Sequence, residues 1–88
     1  MVLKIIEITD KEGNSKVDFL NEIDFKHGLY GNFTFPLTKD IPFYFEYEND
    51  KSKILRSSCV EDYHYDEDER LYIIITANSI YYIKEIDC

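Results

Sequence analysis

Residues 71–86 read Leu71-Tyr72-Ile73-Ile74-Ile75-Thr76-Ala77-Asn78-Ser79-Ile80-Tyr81-Tyr82-Ile83-Lys84-Glu85-Ile86. Two runs of β-branched and aromatic residues flank a short polar break, which is the signature of a hairpin. Taking Asn78 and Ser79 as a two-residue connection, in which Asn tolerates positive φ, sets Ala77 opposite Ile80, Ile75 opposite Tyr82, Ile73 opposite Lys84 and Leu71 opposite Ile86. That side reads as the core side. The other side sets Thr76 against Tyr81, Ile74 against Ile83 and Tyr72 against Glu85, so it is half apolar as well. A hairpin buried on one face only does not spend Tyr72, Ile74, Tyr81 and Ile83 on water. Either N-terminal strands fold over this second face and close a small barrel, or a second copy of the chain covers it in a homodimer.

Working outward, the same residue preference recurs. Alanine occurs once, at Ala77, while Ile, Tyr and Phe dominate the apolar set, and these fit a pleated surface better than a helix. Phe43, Phe45 and Tyr47 alternate with Tyr44, Glu46 and Glu48, a period of two that puts three aromatics on one face. Strands are predicted over 2–9, 15–20, 32–35, from Pro42 onward, 53–60, 71–76 and 80–86, with turns at 10–14 and 49–52 and one helical turn at 20–25. Sequential hairpins imply an antiparallel meander. The expected fold is all-β, a five- or six-stranded SH3-like barrel or curled sheet with little or no helix, because closure removes exposed strand edges.

The chain has 88 residues, enough for a single domain spanning 1–88 and one small core. A hydrophobic fraction of 44% excludes intrinsic disorder. Eighteen acids against ten bases give a net charge of −8, a surface that repels nucleic acid and anionic lipid and favours a basic partner. The opening residues carry Glu7 where a leader's apolar stretch would have to run and offer no small-residue cleavage site, so the expected location is the cytoplasm with Cys59 and Cys88 reduced.

Three segments carry a resemblance. Ile41-Pro42-Phe43-Tyr44-Phe45, then Ile54-Leu55-Arg56-Ser57-Ser58-Cys59-Val60, then Ile75-Thr76-Ala77-Asn78-Ser79-Ile80-Tyr81 resemble small β-barrel proteins of phages and mobile elements in low-GC bacteria. Those have an aromatic strand, an L-R-T-S-x-V strand and a T-x-N-S-x-Y hairpin in this order. The similarity covers roughly the C-terminal half and departs at Ser57, where the pattern has Thr, and in the acidic insert before Leu71. It implies a barrel in a phage setting, the host cytoplasm, and no particular activity.

The most distinctive segment is Glu61-Asp62-Tyr63-His64-Tyr65-Asp66-Glu67-Asp68-Glu69, with six carboxylates in nine residues. Its plain reading is a solvated loop between strands, which spreads like charges through water. Its functional reading is a partner-binding surface. Tyr63 and Tyr65 supply stiff apolar anchors, and Glu61, Asp62, Asp66, Glu67, Asp68 and Glu69 meet Arg or Lys and imitate a phosphate backbone. The spacing lacks the Gly and distal Glu of an EF-hand. Zinc has only Cys59 and His64 at close spacing, with His27 and the terminal Cys88 remote, so a buried Cys59 and surface histidines are expected, and no metal or other cofactor. No nucleophile has an orienting partner or oxyanion hole in view, and no carboxylate pair sits in an apolar setting. Gly28 and Gly31 read as turn glycines and not as a phosphate loop.

The leading expectation is therefore a non-enzymatic protein of a phage or mobile element. It binds and inhibits a basic host protein, such as a nucleic-acid enzyme of a defence system, through the acidic tyrosine-rich surface. The alternatives are a barrel that sequesters a nucleotide-like small ligand with Tyr30, Phe33, Arg56 and Tyr81, and a structural or self-assembly domain.

Overall fold

A computed structural model describes residues 2–14, 30–48 and 54–86; the expected strand at 15–20, the helical turn at 20–25 and the turn at 49–52 lie outside them. Six strands run in chain order: β1 (Val2–Thr9), β2 (Tyr30–Phe33), β3 (Pro42–Tyr47), β4 (Ile54–Asp66), β5 (Leu71–Thr76) and β6 (Ile80–Ile86). Each pairs antiparallel with its neighbour in sequence, and β1 pairs with β6 to close the barrel. The described residues contain no helix. The all-β expectation thus holds, and β1, β5 and β6 have the bounds read from the sequence. Two elements differ: the short strand begins at Tyr30, two residues early, and β4 does not stop at Val60.

Closing so short a meander needs strong local bends, and three bulges supply them. Ile6 is the extra residue of β1 against β6, and Glu61 is the extra residue of β4 against β5. The third lies between β3 and β4, where Pro42 opposes Cys59 and Tyr44 opposes Arg56, leaving Phe43 to face both Ser57 and Ser58. There the buried Ser57 hydroxyl accepts the Phe43 amide at 2.9 Å and donates to the Ser58 carbonyl at 2.6 Å. A side chain replaces the missing rung of the ladder, so the bend leaves the Phe43 amide satisfied.

The interior mixes aromatic and aliphatic side chains in one cluster. Phe43, Phe45 and Tyr47 all point inward, as their alternation predicts, and meet Leu3, Ile5, Ile8, Leu55, Val60, Ile74, Tyr81 and Ile83. Rings meet edge to face: Phe43 with Tyr81 at 4.9 Å, and Phe33 with Phe43, Phe45 and Tyr72 at 5.5 to 6.2 Å. Such contacts add about 0.5–1.5 kcal/mol each to the burial of area.

The β5–β6 hairpin corrects the sequence reading in two respects. The pairs are Ile75 with Ile80, Ile74 with Tyr81, Ile73 with Tyr82, Tyr72 with Ile83 and Leu71 with Lys84, a shift of two residues. The connection is Ala77-Asn78, closed when the Thr76 amide and hydroxyl both donate to the Ser79 carbonyl at 2.8 Å. The Asn78 amide donates to Ser58 Oγ across the strand end, and Asn78 has no positive φ, so nothing special to Asn fixes the turn. A two-residue shift preserves which residues share a face, and the core face proves to be the one with Ile74, Thr76, Tyr81 and Ile83. Leu71, Ile73, Ile75, Ile80 and Tyr82, expected inside, line the outer wall and are half-buried. The choice between a closed barrel and a dimer across Tyr72, Ile74, Tyr81 and Ile83 falls to the barrel, since Ile74 and Ile83 are fully covered by their own chain.

Gly31 sits where β2 crosses closest to β3. A Cβ there would lie 2.1 Å from the Glu46 carbonyl oxygen and 2.7 Å from the Phe45 ring, so only Gly lets the two backbones meet. Gly31→Ala is expected to lower stability by about 2–3 kcal/mol in urea denaturation. Ile83→Asp is expected to abolish the cooperative transition, because it puts an unpaired charge in the interior. A folded Ile83→Asp protein of reduced oligomeric size would contradict this assignment of the inner face.

Candidate functional site

The acidic segment is mostly strand. Residues 61–66 extend β4 and pair with β5, from Asp62 opposite Ile75 to Asp66 opposite Leu71. Only residues 67–70 form the turn, and the expectation of a loop over 61–69 is corrected to this shorter tip. The cause is the apolar run opposite, since Leu71, Tyr72, Ile73 and Ile74 offer a full ladder to whatever residues precede the turn. Alternation then sorts the segment. Tyr63 and Tyr65 share the inward side with Ile74 and Tyr72, while Asp62, His64 and Asp66 point outward with Ile75, Ile73 and Leu71.

The two tyrosines have different surroundings. Tyr63 is 40% exposed. Tyr65 lies against Tyr72 with ring centroids 4.7 Å apart, and the Glu85 carboxylate, which meets Arg70 Nη2 at 3.4 Å, acts on both phenols. With its side chain only 9% exposed, Glu85 is a nearly covered carboxylate paired with the Arg70 guanidinium. Desolvation, and then the Glu85 charge, push the Tyr65 and Tyr72 phenols above the usual tyrosine range. Desolvation also raises Tyr47 and Tyr81. Sequence reasoning missed Arg70 and Glu85, which are ordinary charged residues until the register places them beside two rings; the off-pattern Glu85 in an apolar strand was the one available signal.

The carboxylates likewise divide. Glu61 pairs with Lys11, and Asp62 pairs with Lys39 at 3.3 Å. The Tyr63 backbone amide and then Lys39 hold the Asp62 carboxyl below its usual range. Asp66 is a structural residue: its Oδ1 accepts the Asp68 and Glu69 amides at 3.0 and 3.2 Å, and Arg70 completes the turn at φ 55°. Glu67, Asp68 and Glu69 remain, exposed side by side on a backbone fixed by that cap.

Residues expected to line a small-ligand pocket do not converge. Tyr81 is inside the barrel, Phe33 packs on the core aromatics, Arg56 points to solvent on β4, and Tyr30 lies half-buried on β2 with Lys4 over its ring at 5.2 Å. A cleft of about 340 Å³ does open beside Phe33, but its other walls are Val2, Gly31, Asn32, Thr34, Glu46 and Glu48. Two carboxylates and no cation do not suit the anionic nucleotide-like ligand for which that set was read. Cys59, expected buried, is exposed on β4 because the Ser57–Ser58 bulge shifts the strand's phase. His64 is exposed too; His27 and Cys88 lie outside the described residues. Among the described residues no three His, Cys, Asp or Glu side chains gather as metal ligands, and no helix is long and apolar enough to cross a membrane.

No protein-family model, curated protein or solved structure matches this chain.

The raised phenols set the alkaline limit of the fold. A group whose folded pKa exceeds its unfolded value contributes stability that is complete below the unfolded value and lost as pH rises through the folded one. Stability is therefore expected to hold below pH about 10 and to fall above it. Phenolate absorbance should show Tyr47, Tyr65, Tyr72 and Tyr81 ionising late, together with unfolding. Glu85→Gln should bring the Tyr65 and Tyr72 ionisation to lower pH and leave Tyr47 and Tyr81 unchanged; no difference from wild type would remove Glu85 from the network.

Proposed function

We propose that this barrel is a non-enzymatic binding domain of a phage or mobile element. It occupies the basic surface of a host protein, such as a nucleic-acid enzyme of a defence system, by presenting the tip of the β4–β5 hairpin. The observation that carries this reading is the trio Glu67, Asp68 and Glu69, exposed and without an ion pair among the described residues, held in place by the Asp66 cap at the end of the strand that carries the exposed Tyr63. A solvated loop needs charge, but it does not need a capped backbone to hold that charge in one arrangement. Three adjacent carboxylates on a stiff turn offer Lys and Arg groups the spacing of a charged strand, and a net charge of −8 steers a basic partner toward them. Tyr63 supplies the apolar contact that slows dissociation. The resemblance to phage-borne barrels fits such a role in the host cytoplasm.

The test separates charge from anchor. Partners captured from bacterial lysate at low salt are carried into binding kinetics with purified components and into an assay of their own nucleic-acid activity. Glu67→Gln/Asp68→Asn/Glu69→Gln should slow association, by about tenfold or more at low ionic strength, and flatten its salt dependence while the fold is kept, since Asp66 is untouched. Tyr63→Ala should shorten the lifetime of the complex with little change in association rate. Tyr65→Ala should mainly lower stability through the loss of its contacts with Tyr72 and Glu85. Equal kinetics for wild type and the triple variant, or a partner whose activity is unaffected by binding, would overturn the proposal.

A further inference from the structure

The Ile6 bulge leaves an unusual set of groups on the outer wall of β1. Beyond it, Ile8 faces Tyr81 inside the barrel, so Glu7, opposite Tyr82, and Thr9, opposite Ile80, both point outward. Outward residues are normally wet, yet Thr9 is only 6% exposed. Its Oγ1 and Glu7 Oε1 are the buried side-chain oxygens without a hydrogen-bond partner among the described residues. Both residues line one open cleft, whose remaining walls are Ile6, Gly13 and Tyr82. Burying two unsatisfied oxygens, one of them on a carboxylate, costs free energy that a native structure does not normally carry without a use.

The walls define what fits. A carboxylate and a hydroxyl at positions i and i+2 of one strand face are acceptors roughly 6–7 Å apart along the backbone. They call for a cation with donors spread over a plane, not for a single point charge. The broad terminal torsion of Glu7 can turn either oxygen toward the cleft. Tyr82 and Ile6 offer an aromatic face and an aliphatic wall, which suit a flat, weakly hydrated cation on an apolar stem. At the rim, Asp10 Oδ1 accepts the Glu12 and Asn14 amides at 2.9 Å and fixes the turn. Gly13, at φ 93°, leaves the entrance without a side chain.

We infer that the Glu7–Thr9 cleft binds the guanidinium of an arginine side chain presented by a basic polypeptide. The site rests on the reading of the protein as a binder of basic partners and adds a second contact to it, on the barrel wall and separate from the hairpin tip. Glu7 takes two guanidinium donors, Thr9 Oγ1 accepts a third, and the aliphatic stem lies along Ile6 with the guanidinium plane toward Tyr82.

Amide and side-chain NMR shifts, followed during titration of the full chain, test this with probes that need no identified partner. The probes are agmatine, n-butylamine and the peptide acetyl-Gly-Arg-Gly-amide. Saturable shifts centred on Ile6, Glu7, Thr9, Gly13 and Tyr82 are expected with agmatine and the peptide, and clearly weaker binding with butylamine. Glu7→Gln should weaken agmatine about tenfold or more and Thr9→Val by a smaller factor. Because Glu7 Oε1 has no hydrogen-bond partner among the described residues, Glu7→Gln should melt no lower than wild type, which keeps the test readable. The proposal is overturned if agmatine gives no saturable shift, if its shifts map to residues 67–69, if butylamine binds as tightly, or if Glu7→Gln binds agmatine like wild type. Agmatine binding that survives the Glu67/Asp68/Glu69 variant supports the cleft even when partner capture fails. Capture that depends on the hairpin without agmatine binding overturns the cleft and leaves the hairpin reading standing.

Discussion

Everything in this small protein depends on the ladder between β1 and β6. A meander of short strands has two open edges, each a row of unpaired amides and carbonyls inviting another chain. Pairing Val2 through Thr9 with Ile86 through Ile80 removes both. It also closes the ring, so that the hairpin face carrying Ile74, Tyr81 and Ile83 turns inward onto the side chains of other strands. Closure converts that face into the interior, where Ile74 and Ile83 are fully covered. The bulge at Ile6 belongs to this arrangement: without the extra residue β1 could not bend with the wall and still keep Ile5 and Ile8 inside.

The fold was readable because closure leaves a trace in composition. A hairpin apolar on both faces cannot be a surface hairpin, and residues 71–86 are apolar on both. Which face is inner was not readable, since Ile73, Ile75 and Tyr82 are no less hydrophobic than Ile74, Tyr81 and Ile83. The decision is made by the small and polar positions. Thr76 can be buried because its hydroxyl has the Ser79 carbonyl to bond, and Lys84 must stay out. The strand bounds at β1, β5 and β6 followed from patterning, whereas β4 ran on past Val60 because an acidic strand is stabilised by its partner and not by its own residues. Bulges at Ser57, Glu61 and Ile6 left no sequence signal, and the first inverted the expectation of a buried Cys59.

At the candidate surface the sequence located the charge and could not distribute it. Six carboxylates in nine residues look equivalent on paper. In the fold, Glu61 and Asp62 are matched by Lys11 and Lys39, Asp66 is occupied with the turn, and three remain outward. Glu85 shows the reverse: a single carboxylate in an apolar strand becomes the nearly covered partner of Arg70 and raises two neighbouring phenols. The functional content of acidic residues here is set by long-range pairing, which single-sequence periodicity does not encode.

The length of β4 has a consequence for how such a protein can change over time. Its first half pairs with β3, while beyond Glu61 its backbone ladder is with β5. The five strand residues beyond Glu61 and the turn form a limb whose outward positions do not enter the core. Substitutions, or even lengthening by a matched pair of residues, can accumulate there without repacking Phe45 or Ile83. Sequence change is thus tolerated more readily at the hairpin end than among the residues that fill the barrel.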